Sequence, residues 1–395
     1  MTVRVNQESF NIREKLTELG RRFGIKGSEL AAVNTTQEAR DLVSAGRKNL
    51  IINGAMMVDQ RNSGASATPT GSYTYFIDRY AMWYSVGSGH TIQQVSDSPA
   101  GFGNSFQLTV GTGGSATGTE YGRITYSIEG YDALPLELGS SNVQAFTVSF
   151  YVKISVAGTY GVQLHDGSNA TIKYQSSFSI SGGDVNNWVR RSFIVPAGTF
   201  TTGTFNKTNG EAMTIAFDLG EGPDRSVSLG YHDSAASGAL GLTGGTKILE
   251  TSGATYQFTG LQLELGKNAT DFEHRSYGEE LALCERYFQF TVVSSKVICA
   301  SSTGPTTARC QFPLSTKMRV GSPTFFNDVD QLVVFDGPGN ATTNLAINGI
   351  TFADKGVARL QIDSIDASGT FKSVSKVRNS TTTSTYDTMG LNAEL

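Results

Sequence analysis

FTVSFYVKI, residues 146–154, alternates without a break. Phe146, Val148, Phe150, Val152 and Ile154 fall on one side of an extended chain, with Thr147, Ser149, Tyr151 and Lys153 on the other. A period of two over this length predicts a half-buried strand, dry on one face and wet on the other. MTIAFDL (213–219) repeats the pattern with Met213, Ile215, Phe217 and Leu219 inward. FTGLQLELG (258–266) does so with Leu261, Leu263 and Leu265 inward, against Gln262 and Glu264. Further strand candidates are SFQLTV (105–110), RITYSIEG (123–130), YQSSFSI (174–180), WVRRSFIV (188–195) and SVSLGY (226–231). Gly, Asn and Ser clusters such as GTGGSATG, HDGSNA and SGGDVNN punctuate them. Many short strands joined by such turns predict a β-sandwich or jelly roll.

Composition agrees and narrows the function classes. Charged residues make up 17% of the 395, below the usual quarter or so. Lys and Arg number 31 against 35 Asp and Glu, a net charge of −4 with no basic footprint for duplex nucleic acid. No apolar run reaches the ~18 residues of a membrane-spanning helix, so no membrane insertion is expected. The opening MTVRVNQESF lacks the basic head and apolar stretch of a secretory signal. Cys284, Cys299 and Cys310 match no zinc spacing and read as free thiols of a protein made in a reducing cytoplasm.

The first 48 residues read differently. SFNIREKLTELGRRFG (9–24) places Ile12, Leu16, Leu19 and Phe23 at spacings of four, three and four, one apolar stripe on a helix that Gly24 ends. The stripe is too short to hold a coiled coil alone, so it must dock on something. TTQEARDLVSAG (35–46) predicts a second short helix, opened by the capping-box pair Thr35 and Glu38. Together they suggest an attachment arm over 1–48. A third helix is predicted in SYGEELALCERYF (276–288), with Glu279 and Glu280 in the first turn, where the helix dipole favours acid, and Leu281, Cys284 and Phe288 on one face. Beyond it the strand pattern resumes. The expected organisation is therefore a helical arm (1–48), a sandwich (49–283) and a smaller C-terminal β domain (284–395).

Catalytic patterns are missing. There is no G-x-S-x-G elbow, GxGxxG, Walker loop or HExxH, and no catalytic residue is assigned. His165 and His232 are each followed by Asp, but in Gly/Ser-rich stretches where Asp forms turns. DLGEGPDR (218–225) offers Asp218, Glu221 and Asp224 as oxygen ligands for Ca²⁺, though the plainer expectation is a solvated hairpin loop. No other cofactor is expected, and no other metal. The aromatic cluster FIDRYAMWYSVGSG (76–89) supplies Tyr80, Trp83 and Tyr84 as candidate ligand-contact rings, with alternation sending some of them inward. Trp188, at a strand start, is expected in the core.

Four stretches combine into a recognisable whole: KNLIINGAMMVDQR (48–61), FIDRYAMW (76–83), WVRRSFIVPAGTF (188–200) and FTGLQLELGKNATDFEHRSYGEELALCERYFQ (258–289). The chain resembles a family of bacteriophage tail-fibre and related virion proteins whose middle is a jelly roll similar to carbohydrate-binding modules. The resemblance runs over roughly 48–325, more weakly at FPLSTKMRVGSPTF (312–325), and departs at Tyr80, where similar proteins carry Trp after Asp-Arg.

The resemblance implies a structural or adhesive protein, not an enzyme. It implies attachment to the tail through the arm, with Ile12, Leu16, Leu19 and Phe23 as the docking face. The implied partners are tail adaptor, nozzle or portal-proximal proteins, a homotrimeric assembly, and host-surface polysaccharide or lipopolysaccharide met by the C-terminal domain. The implied location is the virion tail, after assembly in host cytoplasm. Two alternatives stand beside it: a polysaccharide depolymerase, and a purely architectural connector or head decoration.

Overall fold

The computed structural model describes residues 48–292 continuously and, beyond them, strands and short stretches between 298 and 395. Side chains are described through Gln289 and again over 314–319 and 393–395. The arm helices, and with them Ile12, Leu16, Leu19 and Phe23, lie outside the described residues.

In chain order the strands are Thr74–Tyr75 (β1), Tyr80–Tyr84 (β2), Thr91–Val95 (β3), Ser105–Thr109 (β4) and Gly122–Glu129 (β5). A short helix, Gly130–Ala133 (α1), precedes Phe146–Ile154 (β6), Gly158–Asp166 (β7), Lys173–Ile180 (β8), Val189–Val195 (β9) and Glu211–Asp218 (β10). Then come Ser226–Val227 (β11), Gly230–His232 (β12), Gly241–Leu242 (β13), Thr255–Leu265 (β14) and the helix Tyr277–Glu285 (α2).

The molecule is mainly β, with two antiparallel sheets face to face. One runs β1-β2-β5-β10-β7-β8-β12, the other β3-β4-β14-β6-β9. Taking β4 to β10 and β14 as eight consecutive strands, the sheets hold the first, eighth, third and sixth against the second, seventh, fourth and fifth. That is the double Greek key of a jelly roll.

The alternating residues make the core. Phe146, Val148, Phe150, Val152 and Ile154 of β6 are buried, as are Met213, Ile215, Phe217 and Leu219. Rings bridge the layers: Phe150 of one sheet meets Phe217 of the other edge-on at 5.1 Å, and Phe217 lies 5.1 Å from Phe258. Gly260, at φ +66°, sits in a bulge of β14, where a Cβ would press on the rings of Phe102 and Tyr151 at about 3 Å.

The expected wet face of β6 and β14 is corrected at one end. Thr147, Ser149, Gln262 and Glu264 are buried, because the segment after β14 folds back across them. The backbone N–H of Thr270 donates to Glu264 (2.9 Å) and that of Glu273 to Gln262 (2.8 Å). SVSLGY is broken into β11 and β12 rather than forming one strand. Trp188 is only half-buried, its Nε1 donating to Asp97 at 3.2 Å, and is not a core residue.

Helix α2 is opened by Ser276, whose side chain accepts from the backbone N–H of Glu279. Leu281, Cys284 and Tyr287 pack on Ile52 and Val58. Glu280 faces inward instead of toward water, paired with Arg275 (3.3 Å) and accepting from the backbone N–H of Asn53. The stretches 48–61, 76–83 and 258–289 thus meet at one buried polar seam.

Beyond α2, Phe288–Val292 (β15), Ile298–Gly304 (β16), Thr307–Pro313 (β17), Thr324–Phe326 (β18), Leu332–Phe335 (β19), Ala341–Ala353 (β20), Val357–Asp363 (β21), Val377–Asn379 (β22) and Thr388–Asn392 (β23) form two antiparallel sheets. Their orders are β15-β23-β18 and β16-β17-β21-β20-β19-β22. Residues 393–395 return to the seam, where Ala393 N–H donates to the Tyr287 carbonyl at 2.7 Å.

Candidate functional site

Alternation that sends Tyr80, Met82 and Tyr84 into the core turns Trp83 outward, onto the open face of the seven-stranded sheet. Register sets its neighbours. Trp83 lies opposite Arg123, which lies opposite Asp218. Farther along, Ser127, Thr214, His165 and Lys173 form a second row across β5, β10, β7 and β8. All of these but Trp83 are polar, and all of these polar residues are buried, because walls rise at both sides. One wall is aromatic: Tyr73 stands edge-on to Trp83 at 6.2 Å, and Tyr121 packs on the Trp83 ring at 4.8 Å without itself lining the cleft. The other consists of the 166–170 turn and residues 237–240. Between them is a cleft of about 660 Å³.

The electrostatics of the floor follow from burial. His165 Nδ1 lies 3.0 Å from the Asp166 carbonyl, and desolvation pushes its pKa down to about 4, so the imidazole is neutral at neutral pH. Asp166 accepts from Ser168 Oγ (2.6 Å) and from the Ile172 N–H (2.9 Å). The histidine therefore meets the Asp166 backbone, not its carboxylate. Glu211 is pushed above the ordinary carboxylate range by burial, against the pull of Thr214, which donates to it. Ser127 and Thr214 share a hydroxyl–hydroxyl bond of 3.0 Å.

At the aromatic end, Arg123 pairs with Glu221 at 2.8 Å, and its guanidinium lies 5.2 Å from the Trp83 ring centre. Burial works against both charges of that pair, raising the Glu221 carboxyl and lowering the Arg123 guanidinium.

The sequence candidates therefore separate. Trp83 is in the cleft. Tyr80 and Tyr84 are corrections: Tyr80 is 1% exposed, packed 5.6 Å from Phe258, and Tyr84 is 7% exposed with its hydroxyl donated to the Pro69 carbonyl at 2.8 Å. Neither ring can meet a ligand there. The 218–225 loop is also not the solvated hairpin expected. Asp218 is buried and accepts the N–H groups of Gly220 (2.8 Å), Glu221 (3.0 Å) and Leu242 (2.8 Å), while Glu221 is taken by Arg123. Among the described residues no three His, Cys, Asp or Glu side chains converge as a metal group.

Sequence reasoning missed Tyr73, Tyr121 and the buried floor. Trp83 could have been separated from its neighbours by strict alternation over YAMWY. The two tyrosines lie outside the regular strands and carry no periodic signal.

No protein-family model matches the chain, and no curated protein matches it in sequence. Solved structures do. The enzymatically active domain of tailspike protein 4 of bacteriophage CBA120 is 15% identical with a TM-score of 0.29. That match covers 55% of this chain and only 21% of the tailspike chain. A CBM4 module is 16% identical with a TM-score of 0.30, over 54% of this chain and 98% of the module. The family 11 carbohydrate-binding module from Clostridium thermocellum, in complex with a β-1,3-1,4-mixed-linked tetrasaccharide, is 10% identical with a TM-score of 0.26. It is matched over 53% of this chain and 100% of its own.

Proposed function

We propose that the protein is a glycan-binding adhesin of a phage tail, and that its cleft takes a polysaccharide without cutting it. The observation that carries the glycan reading is the cleft itself: an indole and a tyrosine on one wall above a floor of hydroxyl, imidazole and carboxylate groups. A sugar ring has an apolar face that stacks on such rings and a rim of hydroxyls that both donate and accept. A neutral His165, the Ser127–Thr214 pair and the 166–170 turn supply both kinds of partner along the same trough. The phage reading rests on the four resembling stretches. It includes a homotrimer, tail attachment through residues 1–48, assembly in host cytoplasm and adhesion to host polysaccharide or lipopolysaccharide.

The test is binding of purified host polysaccharides by calorimetry, with Trp83→Ala alongside the wild type. Loss of the stacked indole is expected to weaken binding by about tenfold or more, the range of an aromatic hot spot. Failure of the wild type to bind any of them defeats the glycan reading and leaves the architectural alternative. New reducing ends in the incubated polysaccharide would make the protein a depolymerase instead.

A further inference from the structure

The aromatic wall of the cleft is braced from behind by residues far away in the chain. Tyr75 Oη donates to the main-chain oxygen of Leu395 at 2.6 Å. The Tyr75 ring meets Tyr73 edge-on at 5.5 Å, and Tyr73 meets Trp83 edge-on at 6.2 Å, both at 87°. Leu395 itself is half-buried, packed with Ile52, Val58, Cys284 and Tyr287, and borders the cleft.

A second brace reaches the floor. The Glu394 carboxylate pairs with Arg61 (3.3 Å) and with Arg79, and also accepts the Arg79 backbone N–H at 3.2 Å. Arg79, held at φ 76°, passes its other guanidinium nitrogen to the Ser127 carbonyl at 2.6 Å, under the floor. Arg61 also pairs with Asp78 at 3.3 Å, so two carboxylates and two guanidiniums are buried together, and withdrawing Glu394 would leave buried charge uncompensated.

We infer that residues 393–395, through Leu395 to Tyr75 and Glu394 to Arg79, position the aromatic wall and floor of the cleft, Tyr75 and Glu394 being positioning residues that touch no ligand. Because 393–395 continues directly from β23, the C-terminal sheet and the cleft are mechanically joined. A change in one is carried to Trp83 through three consecutive contacts. The consequence for ligand affinity rests on the glycan reading above; the effect on Trp83 does not.

The chain has two tryptophans, so Trp188→Phe leaves Trp83 as the only indole reporter. In that background, Tyr75→Phe removes one hydroxyl and leaves the ring, while Glu394→Ala removes the charge. Acrylamide quenching of Trp83 fluorescence is expected to rise about twofold in Tyr75→Phe, as a side chain loosens when its support is lost. Glycan affinity is expected to fall about fivefold, the worth of one hydrogen bond. Should Glu394→Ala fail to fold, Tyr75→Phe decides alone. Unchanged quenching in Tyr75→Phe overturns the inference. Raised quenching in a protein that binds no glycan leaves it standing and removes the glycan reading instead.

Discussion

At the scale of single residues, burial decides more than identity. The strand YAMWY holds three aromatic rings within five positions, and only the odd one out of phase reaches solvent. His165 shows the same rule in its protonation. Its folded pKa, pushed down to about 4 by desolvation, is below the ordinary value of 6.5. The unfolded chain therefore binds a proton that the native state refuses, and stability contributed by this group is present above pH 6.5 and lost as pH falls toward 4. Over that window the loss is about 2–3 kcal/mol. His165→Gln is accordingly expected to lose less stability than the wild type between pH 7.5 and 4.5, by that amount, in urea unfolding at the two pH values. An identical pH dependence in both proteins would show that His165 takes up its proton in the fold at the same pH as in the unfolded chain, so that burial does not depress its pKa.

At the scale of elements, β6 and α2 show how local signals are read and then overruled. The alternation of FTVSFYVKI correctly predicts a strand and its inward face, since five large apolar side chains can be buried together only from one side. Its outer face followed no local rule, for the segment after β14 covers half of it. In α2 the start is local, set by Ser276 accepting the Glu279 N–H at 3.3 Å. Ser276→Ala should cost about 1 kcal/mol in chemical denaturation, with the cleft's ligand affinity unchanged. A loss of affinity in that variant would place α2 nearer to the site than its contacts do. Glu280 reads as a first-turn acid favoured by the helix dipole, yet it is 4% exposed and committed to Arg275 and Asn53. Its partners lie in the 48–61 stretch and just before the helix, which no helical spacing brings into view.

At the scale of the whole molecule, the sandwich and residues 393–395 meet in one seam of buried charge, Arg61, Asp78, Arg79 and Glu394. The proposed trimer belongs to this scale. Mass photometry of the full chain should give a single species at three times the protomer mass, and a clean monomer at micromolar concentration would count against the fibre reading. What the sequence by itself determined was the class of fold and the inward face of its strands. Period-two patterning has one physical solution, two sheets closing over their apolar sides, and its turn residues mark where each strand stops. What only the tertiary structure decided was the site. The cleft exists because strands whose facing residues are about 40 to 95 positions apart in sequence lie side by side, bringing Trp83, Arg123 and His165 onto one face. It is closed on one side by Tyr73, which lies outside the regular strands and obeys no period. Pairing order between strands depends on which distant partners satisfy each other's backbone and bury each other's surface, and that is a property of the assembled chain, not of any stretch within it.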